Sequence, residues 1–143
     1  MSLVGTVSNF KKVATATGVQ RDLVGDSGWV DHISVTFTTT EVGPVECYFH
    51  GVQGYEQGAV NALGRFELDS TTTSTECQIF VQGWTSNKSF GSQNAYGFFE
   101  DVSVGSHTII FQARNPQSGT TGKLNYFNPG SYAADRIQVI YRG

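Results

Sequence analysis

Apolar and polar residues alternate with a period of two through most of this chain, the pattern of strands buried on one face. From His32 to Thr40, Ile33, Val35 and Phe37 share one phase, while His32, Ser34, Thr36 and Thr38 share the other, wet one. A turn at Gly43-Pro44 leads into Val45, Cys47 and Phe49, set against Glu46 and His50. Phe66 and Leu68 alternate with Arg65, Glu67 and Asp69, and Cys77, Ile79 and Val81 with Glu76, Gln78 and Gln82. Tyr96 to Phe99 predicts a short aromatic strand. Ile109, Phe111 and Ala113, against Thr108, Gln112 and Arg114, predict a long one opened by Gly105-Ser106 and closed by Asn115-Pro116. Lys123 to Phe127 is read as a return strand with Leu124 and Tyr126 on one face, and Ile137, Val139 and Tyr141 form a final strand against Arg136, Gln138 and Arg142.

The N-terminal Val4, Val7, Phe10 and Val13 fall three apart among Thr, Gly and Ser and are read as one or two edge strands. Tyr55 to Leu63 is the best helical candidate, weakened by Gly58. No linker and no internal repeat interrupts the pattern. Eight or nine short strands with frequent turn residues predict an all-β chain: a single-domain antiparallel β-sandwich of jelly-roll type spanning residues 1–143.

Composition narrows the class. With 143 residues the chain can bury a sizeable core without disulfides or metals. Only 15% of residues are charged, against roughly 25% in an average soluble domain, so the polar surface is mostly uncharged Thr, Ser, Asn and Gln. Val (15), Phe (10) and Tyr (6) outweigh Leu (5), Met (1) and Lys (4), which excludes a helix bundle or coiled coil. The net charge of −3 offers no footprint for nucleic acid or an anionic membrane. Residues 1–12 lack a basic head followed by an apolar run, so no secretory signal is expected and the chain is read as made in a cytoplasm, with a trimmed, extracellular protein as the alternative. Cys47 and Cys77, 30 residues apart, match no zinc or redox spacing and are read as buried free thiols in preference to a disulfide.

Candidate chemistry is sparse. The chain has no nucleophile elbow, phosphate-binding loop, His-Glu-x-x-His or EF-hand spacing. His32, His50 and His107 fall in three different strands without the His-x-His pair of a cupin-type metal site. Glu46, Glu67 and Glu76 lie on outward phases, and sequence spacing does not bring any two together as a glycosidase pair. Asp22, Asp26 and Asp31 bracket Gly25 and Ser27-Gly28, a pattern cheaper to read as a turn than as a calcium loop. No catalytic residue, metal or cofactor is therefore expected. Asn87-Lys88-Ser89 fits the glycosylation tripeptide, which carries no weight without secretion.

The aromatics are more suggestive. Trp84, Phe90, Tyr96, Tyr126, Phe127 and Tyr132 lie in polar, loop-like sequence, a composition suited to sugar stacking and to adaptable protein contacts. They are the candidate binding residues, with 84–95 and 115–122 as the candidate recognition stretches. The alternative is that these rings cover the ends of a sandwich or sit in a subunit interface.

Gly105-Ser106-His107-Thr108-Ile109-Ile110-Phe111-Gln112-Ala113-Arg114, then Ser118-Gly119-Thr120-Thr121 and the closing Ser131-Tyr132-Ala133-Ala134-Asp135-Arg136-Ile137-Gln138-Val139-Ile140-Tyr141, carry a resemblance. This C-terminal portion resembles the last strands of the tumour-necrosis-factor/C1q-like jelly rolls found in phage tail-fibre and other virion surface proteins. The resemblance implies a jelly roll that assembles as a trimer on a particle and binds a host glycan or protein without catalysis. The sequence reading is thus a non-enzymatic virion structural or surface-recognition protein, homo-oligomeric, working with other virion proteins and binding neither nucleic acid nor membrane. A carbohydrate-binding module or lectin-like adhesin is the first alternative, and a β-sandwich enzyme the second.

Overall fold

The computed structural model describes residues 10–16, 21–55, 60–82, 89–125 and 134–142. Among them are eleven strands: β1 (Phe10–Thr15), β2 (Arg21–Val24), β3 (Val30–Thr39), β4 (Gly43–Tyr55), β5 (Val60–Leu68), β6 (Thr72–Thr73), β7 (Cys77–Gln82), β8 (Ser89–Val102), β9 (Gly105–Arg114), β10 (Thr121–Leu124) and β11 (Arg136–Tyr141). The chain is all-β, an antiparallel sandwich of jelly-roll type.

In the first sheet β4 is central. One of its edges pairs with β8, and the other pairs with β11 over residues 45–50 and with β10 at 54–55; β1 and β2 continue outward from β11 and β10. The second sheet runs β3-β9-β5, with β7 and β6 sharing the far edge of β5. Along the chain β3, β4 and β5 alternate between sheets, as do β7, β8, β9 and β11. Each crossing carries the apolar phase of one strand onto that of the other sheet, which is why period-two patterning folds into two packed layers.

The core lies where those phases meet. Ile33 and Phe37 of β3, Ile109, Phe111 and Ala113 of β9 and Phe66 of β5 face Val45, Cys47 and Phe49 of β4 and Ile137, Val139 and Tyr141 of β11, all buried. Phe49 and Phe111 stack across the sandwich at 3.9 Å between centroids, and Phe66 meets Phe111 edge-on at 5.1 Å. Tyr141 is fully buried with its hydroxyl satisfied: it donates to the Glu41 carbonyl and accepts from the Glu41 amide at 3.2 Å.

Two expectations change. Tyr55 ends β4 and Val60 to Leu63 belong to β5, so the helical candidate is strand wherever it is described; β5 alternates Ala62, Gly64 and Phe66 inward, and Gly64 leaves room for the Phe111 ring. The aromatic strand at 96–99 is only part of the fourteen-residue β8, which extends from Ser89 to Val102. The N-terminal expectation of an edge strand matches β1, whose Phe10 packs on Phe37 and Tyr141; Val4 and Val7 lie outside the described residues. Both cysteines are free thiols, Cys47 buried as expected and Cys77 only half-buried, at the edge of the core. Burial, then the adjacent Glu46 charge, pushes the Cys47 thiol far above its usual range, so it is an inert packing group.

Candidate functional site

Strand β3 has one irregularity. Asp31 faces Gln112 and Ile33 faces Phe111, so His32 is an extra residue in the ladder with β9. A bulge of this kind re-aims a side chain. The His32 ring is turned inward, 2% exposed, and its Nε2 meets Oδ2 of the fully buried Asp135 at 2.8 Å. This corrects the simple alternation, which put His32 on the wet face.

Asp135 also accepts the Val52 amide on Oδ1 and the Asn125 amide on Oδ2, each at 2.8 Å, while its own amide donates to Asn125 Oδ1 at 2.9 Å. One carboxylate therefore joins β3 of the second sheet to β4, the end of β10 and the approach to β11. Gly51 makes the fit possible, because a Cβ there would stand 2.3 Å from Asp135 Oδ1. His32 Nδ1 is buried without a hydrogen-bond partner among the described residues. With its proton on Nε2 the ring donates to Asp135 and leaves only a lone pair at Nδ1, so no buried N–H goes unpaired. The arrangement is a clasp closed to solvent.

A second His–Asp pair closes one end of the sandwich. His107 Nδ1 lies 2.6 Å from Asp69 Oδ2 and Nε2 lies 2.7 Å from the Ser103 carbonyl. Both partners are acceptors, so both nitrogens must donate and the ring is held as imidazolium. Asp69 also accepts the Thr108 amide at 2.8 Å, and Thr39 Oγ1 donates to the same Ser103 carbonyl at 2.5 Å. Burial alone would lower the His107 pKa, but the Asp69 hydrogen bond, the Ser103 carbonyl and the Asp69 charge together raise it. For Asp69, burial acts upward and is outweighed by His107 and the Thr108 amide, so its pKa falls.

These shifts set a pH dependence. The folded ring holds its proton more tightly than the unfolded one, so the His107 contribution is complete below the ordinary value of 6.5 and is lost as pH rises through the folded pKa. The Asp69 contribution is present above its ordinary value of 3.8 and is lost as pH falls through the depressed one. The melting temperature of the wild type is expected to fall relative to that of His107→Gln as pH is raised from 6.5 through the folded pKa. Parallel melting curves across that interval would show that the ring is not held as imidazolium.

The outer face of the first sheet carries the candidate contact surface. Tyr48 on β4 is directly opposite Tyr96 on β8, with ring centroids 5.1 Å apart, and Phe98 lies one outward step along β8. They are 40%, 45% and 46% exposed. Polar groups surround them: the Tyr48 hydroxyl donates to Glu46 Oε2 at 3.1 Å, Arg142 Nε lies 3.4 Å from the same oxygen, and His50 Nδ1 is 2.7 Å from Asn94 Oδ1. An apolar aromatic centre inside a polar rim has the anatomy of a protein interface.

Of the residues singled out from sequence, Tyr96 is on this face, in the strand its aromatic run predicts. Phe90 belongs to the same strand, paired with Gly54. Trp84, Tyr126, Phe127 and Tyr132 lie outside the described residues. Within 115–122, Asn115 and Thr120 are buried and bonded to each other at 3.1 Å. Tyr48 and Phe98 were missed, although both occupy the outward phase of their strands, where a large ring is the signal. Glu46 and Glu67 lie on different sheets and cannot converge. Asp22 pairs with Lys123, Asp26 approaches Arg114 at 3.9 Å, and Asp31 accepts from Gln112. Among the described residues no three His, Cys, Asp or Glu are placed to hold a metal ion.

The sheet order β8-β4-β11-β1 facing β7-β5-β9-β3 decides the fold. This chain is a jelly roll. It superposes on the Eiger TNF of S. frugiperda with a TM-score of 0.58 at 8% identity, over 94% of this chain and 93% of that one. It also superposes on the VP2 subviral particle of infectious bursal disease virus, TM-score 0.54 at 10% identity, over 95% of this chain. A third structure, dimeric latent PorU from Porphyromonas gingivalis, gives 0.53 at 10% identity over 96% of this chain. The jelly roll spans 33% of the VP2 chain and 13% of the PorU chain. No family model matches the sequence, and no curated protein matches it.

Proposed function

We propose that this jelly roll is a non-enzymatic structural or surface-recognition module of a virus particle, acting as a homo-oligomer, with the trimer favoured, whose copies meet through the Tyr48–Tyr96–Phe98 face. The observation that carries the reading is that face: three large rings exposed side by side on two paired strands, enclosed by a polar rim. Low charge supports it, because interface cores are depleted of charged residues. The fold shared with a protein of a subviral particle supports the virion setting. Both His–Asp pairs are used to hold the sandwich together, which supports a role without catalysis.

Hydroxyl-radical footprinting of the full chain tests the contact. Oxidation at Tyr48, Tyr96 and Phe98 is expected to be low in concentrated solution and to rise together on dilution. Concentration-independent oxidation at the rate of freely exposed rings would exclude this face as the interface.

A further inference from the structure

The bulge that turns His32 inward also dents the opposite surface. On the outer face of the second sheet it opens a recess of about 140 Å3, lined by Asp31, Ser34 and Ile110 together with His32 and Ile33. Beside the recess lies a line of three planar polar side chains, one per strand, in register: Asp31 on β3, Gln112 on β9 and Arg65 on β5. They are bonded in series. Gln112 Nε2 donates to Asp31 Oδ1 at 2.8 Å, and Arg65 Nε donates to Gln112 Oε1 at 2.9 Å. The guanidinium is also stacked 4.1 Å over the Trp29 ring, and the Asp31 carbonyl is held by Arg21 at 2.6 Å.

The line is fixed in place without being used up. Gln112 is buried and bonded at both ends. Arg65 spends only its Nε on this line, which leaves both Nη amines to donate, and Asp31 keeps Oδ2 to accept. Side chains locked by packing and by each other lose little entropy on binding. Donors and an acceptor thus alternate along one edge of a shallow recess with an apolar floor at Ile110. That edge matches a ligand whose vicinal hydroxyls both donate and accept and whose C–H face is apolar. The Asp31 and Arg65 charges balance, and Glu67 faces outward opposite Ile110, so a bare anion gains nothing here. The volume suits a single ring and is well below the roughly 300–1,000 Å3 of drug-sized pockets.

We propose that this recess is a saccharide subsite that takes one ring of a neutral oligosaccharide, with Asp31 and Arg65 bonding its hydroxyls, Gln112 holding both in position and Ile110 packing under its C–H face. The proposal rests on the recognition half of the proposed function and is independent of the assembly half.

The experiment is a glycan array carrying neutral, sialylated and sulfated oligosaccharides, followed by titration of the strongest neutral binder into isotope-labelled full chain observed by NMR. Neutral glycans are expected to bind, with shifts at Asp31, Ser34, Ile110 and Gln112. Ser34→Tyr, which fills the recess from an exposed position, is expected to weaken binding at least about tenfold, as is the isosteric Asp31→Asn, with melting temperature and oligomer mass unchanged. Trp84→Ala is expected to bind normally. Retention of sialylated or sulfated glycans alone overturns the proposal, as does binding indifferent to Ser34→Tyr and Asp31→Asn. Neutral binding lost in Trp84→Ala instead overturns this subsite while leaving glycan recognition intact. An array silent to every glycan, with the oligomer intact, overturns the recognition half itself.

Discussion

Asp135→Ala is expected to be the most damaging single substitution in this protein. It removes a fully buried carboxylate and strands three donors at once: His32 Nε2, the Val52 amide and the Asn125 amide. Each buried donor left without a partner costs about 1–3 kcal/mol. Breaking a buried pair from one side typically costs about 3–5 kcal/mol, and for a chain of this size that corresponds to a melting temperature lower by roughly 10 °C or more. His32→Ala removes one of the three contacts and is expected to cost less. Thermal melts of the two single variants and the double variant check the assignment. The double variant should fall short of the sum, because both changes break the same bond. Strict additivity would show that His32 and Asp135 are not coupled.

The second large effect concerns assembly. Phe98→Asp together with Tyr96→Asp places two carboxylates in the centre of the exposed aromatic face, close to Glu46. Both side chains point outward, so the core is untouched and the melting temperature of the isolated fold should hardly move. At an interface the same change is severe, since it desolvates unpaired like charges where rings would pack. The variant is expected to be a folded monomer by light scattering. An oligomer of unchanged mass would place the interface elsewhere on the sandwich.

The sequence revealed the sandwich wherever one phase of a strand is continuously apolar, as in Ile33, Val35 and Phe37 of β3 or Ile137, Val139 and Tyr141 of β11. It hid most of β8, because Ser89 to Asn94 carries one apolar side chain, Phe90, among Ser, Gly, Gln and Asn and shows no alternation, so it reads as loop. Further along, Ala95 and Gly97 face inward, and the small residue at 97 is needed because a Cβ there would stand 2.7 Å from the Phe66 ring. The site was less legible than the fold. The His32 bulge leaves the letter pattern of β3 intact while reversing one side chain, and the partner of His32 lies 103 residues away. Only tertiary structure reveals such a bulge, and with it the clasp and the recess. Tyr48 and Phe98, by contrast, are readable as large rings on the wet phase of their strands.

Sedimentation equilibrium of the wild-type chain at neutral pH across the micromolar range tests the central claim most directly. The account predicts a mass of two or more 15.5 kDa chains, with three favoured, and a return to single-chain mass in the Tyr96→Asp, Phe98→Asp variant. A wild type that sediments as a single chain at every concentration would contradict it.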